Sequence, residues 1–177
     1  MTMQRIKHVE LSSAQTSVIF SSIPQTYTDL LLVFSLRHSY AGTFRGVNLS
    51  INGVSTNIST RYLYADGASA SSGSLGSNGF MHDVPAGNST ANTFSNTSYY
   101  FPNYRSNSPK SFSQEVTSEN NGSSTYMMLQ AGLWNPSTQA AISTITLTAT
   151  DSSNFLQNSS ATLYGISAGT DSTTTVS

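Results

Sequence analysis

Apolar residues in this chain recur with a period of two between clusters of turn residues, and no stretch holds a 3.6-residue period long enough for a helix. The pattern predicts an all-β domain. Its first strand signal is Thr16 to Phe20, closed at Pro24. Thr28 to Arg37 follows, and its unbroken apolar run from Leu30 to Phe34 predicts a central strand covered on both faces. Gly46 to Asn52 alternates Val47, Leu49 and Ile51 against Asn48 and Ser50. Asn52-Gly53 then predicts a type I′ turn, from which a second strand returns through Val54 to Ile58 and on to Tyr64. Further along, Ser98 to Phe101 stops at Pro102, and Lys110 to Glu119 sets Phe112, Gln114 and Val116 against serines, Glu115 and Thr117. Thr125 to Trp134 is apolar, Ile142 to Thr150 alternates Ile and Leu with Thr, and Ala161 to Ile166 is a last short strand. About nine or ten strands joined by antiparallel turn chemistry predict a jelly-roll-like antiparallel β-sandwich. Its expected core rests on Leu30, Leu32, Phe34, Leu49, Ile51, Leu129, Ile145 and Leu147.

The sandwich is expected to occupy residues 12–166, with an N-terminal segment at 1–11 and a polar tail at 167–177. In the N-terminal segment Arg5, Lys7, His8 and Glu10 interleave with Ile6, Val9 and Leu11, which is neither a clean strand nor an amphipathic helix. Two readings stand side by side: an arm, or a first edge strand. Between Asp66 and Gly79 the run DGASASSGSLGSNG predicts a turn at Asp66-Gly67 and a long polar loop, of the kind that carries function.

Only 8% of residues are charged, where an ordinary domain carries about a quarter, and the net charge is −1. Ser, Thr and Asn keep such a surface wet, but little repulsion holds copies apart, so self-association is expected. The seven Lys and Arg are scattered, which argues against nucleic acid. There is no cysteine, so packing alone must stabilise the fold. The segment MTMQRIKHVE has no signal-peptide-like apolar run, and nothing approaches a membrane span, so synthesis in a cytosol and no membrane partner are expected.

Candidate chemistry is thin. His8, His38 and His82 sit in unrelated contexts with no Gly-x-Ser-x-Gly elbow, so no catalytic triad is expected. Glu115 with Glu119, or Asp66 with Asp83, are the obvious carboxylates for a glycosidase pair, but solvated edge charges are the favoured reading of them. Metal-binding spacings are absent, and neither a cofactor nor a catalytic residue is expected. Tyr62, Tyr64, Tyr99, Tyr100, Tyr104 and Tyr126 could form a carbohydrate-stacking platform or serve core and interface packing.

The segments LSSAQTSVIFSSIPQTYTDLLLVFSLR, TRYLYADGASAS, TSENNGSSTYMMLQAGLW and SATLYGI together resemble small β-sandwich virion proteins of tailed bacteriophages. The resemblance runs from about Leu11 to Ile166 and implies either a capsid cement (decoration) protein or a tail-fibre tip. It transfers no functional residue set. The cement reading implies a homotrimer on the capsid surface whose partner is the major capsid protein. The chain starts with only a short segment and no collagen-like or heptad shaft, which favours the cement reading. Attachment is then expected through the N-terminal segment, with Ile6 and Val9 filling pockets along a neighbour's sheet edge and Arg5 and Lys7 pairing with acidic groups. The fibre-tip alternative would recognise a host glycan with Asp66, Tyr62 and Tyr64.

Overall fold

In the computed structural model, which describes residues 2–76, 83–120 and 127–167, the alternating segments become antiparallel strands. In chain order they are β1 (Thr2–Glu10), β2 (Ser17–Phe20), β3 (Asp29–Ser35), β4 (Phe44–Ile51), β5 (Ile58–Ala65), β6 (Ala70–Leu75), β7 (Asp83–Pro85), β8 (Asn96–Phe101), β9 (Lys110–Thr117), β10 (Met127–Trp134), β11 (Ile145–Ala149) and β12 (Ser160–Ser167). An eight-stranded sheet runs β1-β12-β3-β8-β9-β10-β5-β6, and a four-stranded sheet runs β2-β11-β4-β7. The architecture is an all-β sandwich with unequal sheets and somewhat more strands than the pattern predicts.

The core strands bury one parity of their residues, as a period of two requires. From the large sheet Leu30, Leu32 and Phe34 on β3, Leu163 on β12, and Tyr99 and Phe101 on β8 point inward. They meet Val18 and Phe20 on β2, Leu49 and Ile51 on β4, and Ile145 and Leu147 on β11. Tyr99 stacks with Phe34 and Phe101 at centroid distances of 6.1 and 5.9 Å, and Phe112 leans on Phe101 at 5.6 Å. Seven of the eight expected core residues are therefore buried. The exception is Leu129, which lies on the outer face. Thr125 to Trp134 carries apolar residues on both parities, and β10 turns Met128 and Trp134 inward, so Leu129 must point out.

Other expectations are also corrected. Asn52 and Gly53 both adopt positive φ, 51° and 79°, and Ile51 and Val54 exchange backbone hydrogen bonds, so the type I′ turn forms. The strand does not return along β4, however: β11 pairs with one edge of β4 and β7 with the Phe44–Gly46 end of the other. The chain instead crosses to the large sheet, where β5 pairs with β10 and β6. The expected long loop is mostly a hairpin. Asp66 accepts hydrogen bonds from the N–H groups of Ala68 and Ser69, and Ala70 to Leu75 returns in register against β5. Its last residues lie outside the described ones, as do His82, Tyr126 and the tail beyond Ser167. The strand at β3 is fully covered only on its inner face, since Leu31 and Val33 stay half-buried.

The N-terminal segment is an edge strand, not a free arm. β1 pairs with β12 from Thr2 to Glu10, with a bulge between Arg5 and Lys7. Two buried cations hold loops instead of pairing with carboxylates. Arg37 donates to the carbonyls of Ser89, Thr90 and Thr93 at 2.8–3.0 Å, and Lys110 donates to those of Ser106 and Ser108 at 2.6 and 2.5 Å. Burial holds both below their ordinary pKa.

Leu32→Ala is expected to cost about 2–5 kcal/mol of unfolding free energy, the range for truncating a fully buried leucine. Leu129→Ala, measured in dilute protein by the same denaturant titration, is expected to stay within about 0.5 kcal/mol of the parent, as at an exposed site.

Candidate functional site: the outer face of the large sheet

β10 presents Met128, Gln130, Gly132 and Trp134 to the interior and Met127, Leu129, Ala131 and Leu133 to the outside. The outward set is thus the more uniformly apolar. The phase is locked by packing: a Cβ at Gly132 would lie 2.0 Å from the Phe112 ring, so the phenyl group of β9 occupies the space beside that backbone. Gln130 accompanies it inward and lies directly opposite Gln114, and both side-chain amides are buried with no hydrogen-bond partner among the described residues. Each buried polar atom left unpaired costs about 1–3 kcal/mol, so this phase is held against a penalty.

On the outside, Leu63 of β5 lies directly opposite Leu129. Leu63 is 60% exposed, Met127 53%, Leu129 47% and Leu133 39%, four of the seven exposed large apolar side chains among the described residues. They form one band on neighbouring strands. An open trough of about 880 Å³ lies over it, with Leu63, Leu129 and Ala131 in the middle, Ser72 of β6 on one side, and Ser98 and Tyr100 of β8 on the other. A depression of about 370 Å³ continues it toward Met127. Two charges flank the band, Arg61 on β5 and Glu115 on β9. Arg61 donates to its own neighbour's carbonyl at Thr60, 3.1 Å away. The one ion pair among the described residues is Arg45–Asp151, so neither Arg61 nor Glu115 has a charged partner among them.

The residues singled out in the sequence lie elsewhere. Lys7 reaches across to the small sheet, donating to the Ile19 carbonyl at 3.2 Å over the Phe20 ring. Ile6 and Val9 pack against the domain's own core and are not free to fill a partner's pockets. Arg5 alone of that set is left outward and exposed, opposite Tyr164. Tyr62 and Tyr64 are brought together, with ring centroids 6.1 Å apart, but they face inward beside Val116 and Met128. Asp66 folds back on its own turn, where the N–H groups of Ser69 and Ala68 hold its carboxyl below the usual range. These three do not make one exposed platform. Tyr99 and Tyr104 are buried, and Tyr100 donates to Asp29 at 2.8 Å. Glu115 ends on the outer face while Glu119 lies beyond the end of β9, so no strand face joins them.

One titratable cluster forms at the opposite edge, around β4 and β7. Arg45 bonds Asp151 and lies over the Tyr40 ring, 4.4 Å from its centroid, and Asp83 and His38 stand nearby. His38 is fully buried, and its Nδ1 accepts the Tyr40 N–H at 3.1 Å. Burial, and then the Arg45 charge, lower its pKa against the opposing pull of Asp151. Burial raises that of Asp83, opposed by Arg45. Neither His38 nor His8, which bonds Thr162 Oγ1 at 2.7 Å, addresses a serine hydroxyl. Among the described residues no three His, Asp or Glu side chains converge as a metal site.

Because the folded pKa of His38 lies below its unfolded value of 6.5, the unfolded chain takes the proton first as the solution is acidified. The His38 contribution is complete above about pH 6.5 and is lost progressively below it. Melting temperatures measured from pH 7.5 to 5 should therefore fall for the parent and fall less steeply for His38→Gln, whatever the variant's absolute stability. No protein-family model, curated protein or solved structure matches this chain.

Proposed function

We propose that the protein is a non-catalytic structural subunit of a bacteriophage virion, a cement protein that binds the assembled major capsid shell. The observation that carries this reading is the exposed apolar band of Leu63, Met127, Leu129 and Leu133 on a chain with a net charge of −1. A contiguous apolar patch on an otherwise polar surface marks association between macromolecules. The resemblance to phage virion proteins supplies the setting, and with it a trimer on the shell. Such a protein acts by mass action: binding the assembled lattice and not the dissociated subunits lowers the free energy of the shell. No bond is made or broken.

The attachment expected through β1 needs revision within this reading. Lys7, Ile6 and Val9 are committed to the domain itself, and a bulged, charged edge is poorly suited to strand addition. Arg5 remains available for a shell carboxylate. The fibre-tip alternative has less support, since Tyr62 and Tyr64 face the interior and Asp66 is engaged in its own turn.

Quantitative mass spectrometry of purified virions carrying this protein separates the readings. The cement reading expects hundreds of copies, on the head, and heads depleted of the protein should release their genome at lower temperature. A handful of copies at the tail would favour the fibre tip, and absence from virions would overturn both.

A further inference from the structure

We infer that the outer face of β5, β10 and β9 is a contact surface for a second copy of this chain, made across a two-fold axis running close to β10. The inference rests on reading the apolar band as an assembly surface, not on the virion setting.

Three features converge on a second copy as the occupant. The first is the inverted pattern of β10, in which Leu129 and Leu133 face out while Gln130 is buried unpaired. With its outer side exposed, the strand has its polarity the wrong way round, and a covering apolar surface takes the outward leucines out of water. A copy of the same band is such a surface, with Met127, Leu129 and Leu133 meeting their own counterparts.

The second feature is charge. Arg61 and Glu115 stand one on each side of β10, opposite Ala131 and Leu129 respectively, and neither has a charged partner among the described residues. Turning one copy about β10 lays β5 over the partner's β9. Arg61 then sits diagonally across from the partner's Glu115, within reach of its long side chain. The symmetry makes two such pairs, flanking an apolar centre. A face with one positive and one negative flank is complementary to itself in this arrangement. With the net charge at −1, no long-range repulsion opposes it.

The third is shape. A twisted sheet is saddle-shaped, hollow along one diagonal and raised along the other. The trough from β6 to β8 runs straight across the strands, at the registers of Leu129 and Ala131. A two-fold axis along the strand direction places the raised diagonal of one copy in the hollow of its mate, the aligned mode of sheet-on-sheet packing. Five strands of this length offer a footprint of roughly 20 Å by 20 Å. That is below the standard of about 800 Å² per partner, so a reversible dimer is expected in solution, reinforced wherever copies are held side by side.

Sedimentation velocity of the full chain over a hundredfold concentration range tests the contact. The parent is expected to shift from monomer to dimer, and Leu129→Lys to remain monomeric. Arg61→Glu and Glu115→Arg should each weaken the dimer about tenfold or more, by placing like charges in apposition. The double variant Arg61→Glu/Glu115→Arg should recover it, and an equimolar mixture of the two single variants should form a heterodimer. Both charge positions are on the solvent side, so circular dichroism should report an unchanged fold even if Leu129→Lys fails to fold. A parent that is monomeric throughout overturns the inference. So does an oligomer, a trimer included, that ignores the charge reversals, or a double variant no tighter than the singles. Virion copy number enters none of these outcomes, so the contact and the cement reading fail separately.

Discussion

The period of two along β10 is the constraint on which the rest of the molecule turns. Eight residues carry apolar side chains on both parities, and a strand can bury only one of them against a given sheet. Trp134 and Met128 take the interior, and the Phe112 ring fills the space that Gly132 leaves beside its backbone. Everything else on β10 follows. Gln130 is carried inward to face Gln114, with the amides of both unpaired, and Leu129, Met127 and Leu133 are carried outward to meet Leu63 of β5. The large indole is buried at the same cost, its N–H also without a partner among the described residues. The apolar surplus on the outside is what assembly can recover.

A chain with so few charges must meet its polar requirements by other means. Arg37 and Lys110 lie buried with backbone carbonyls as their partners, so each ties an irregular loop to the sandwich where a carboxylate would have tied a side chain. The two edges of the large sheet differ in the same spirit. β1 carries Arg5, Lys7 and Glu10 and a bulge, features that discourage strand addition, whereas β6 is built of Ser, Gly, Ala and Leu. Three of the chain's charges stand on that β1 edge, and Arg61 and Glu115 flank the apolar band.

Much of the sandwich was legible in the sequence because β3, β4, β9 and β11 obey simple rules. Val47, Leu49 and Ile51 alternate with polar residues and are buried, and Asn52-Gly53 turns as its conformational preferences require. The failures have identifiable causes. β6 carries almost no apolar signal, because its place is fixed by the Asp66 turn and by backbone pairing to β5, neither of which shows in hydrophobic periodicity. β1 looked like neither strand nor helix because the bulge after Arg5 shifts the phase by one residue: Gln4 faces inward before it, and Lys7 and Val9 after it. The candidate face itself was hidden by the apolar run from Thr125 to Trp134, which reads as core on both sides until Phe112 and Gly132 fix the phase. Tyr62 and Tyr64 misled for the opposite reason, since aromatic rings on alternate positions announce a shared face without saying which one.

Two neighbouring methionines offer a direct test of the claim that the outer face is covered on assembly. Met127 points outward and is 53% exposed, while Met128, next in the chain, is buried, so each controls for the other under one oxidant. Peroxide oxidation followed by peptide mass spectrometry should modify Met127 readily in dilute protein and spare Met128. The exposed Met3 reports the dose. If the face is the contact, raising the protein concentration should slow oxidation at Met127 while leaving Met3 unchanged. Equal reactivity of Met127 at every concentration, alone and in the native assembly, would contradict the account.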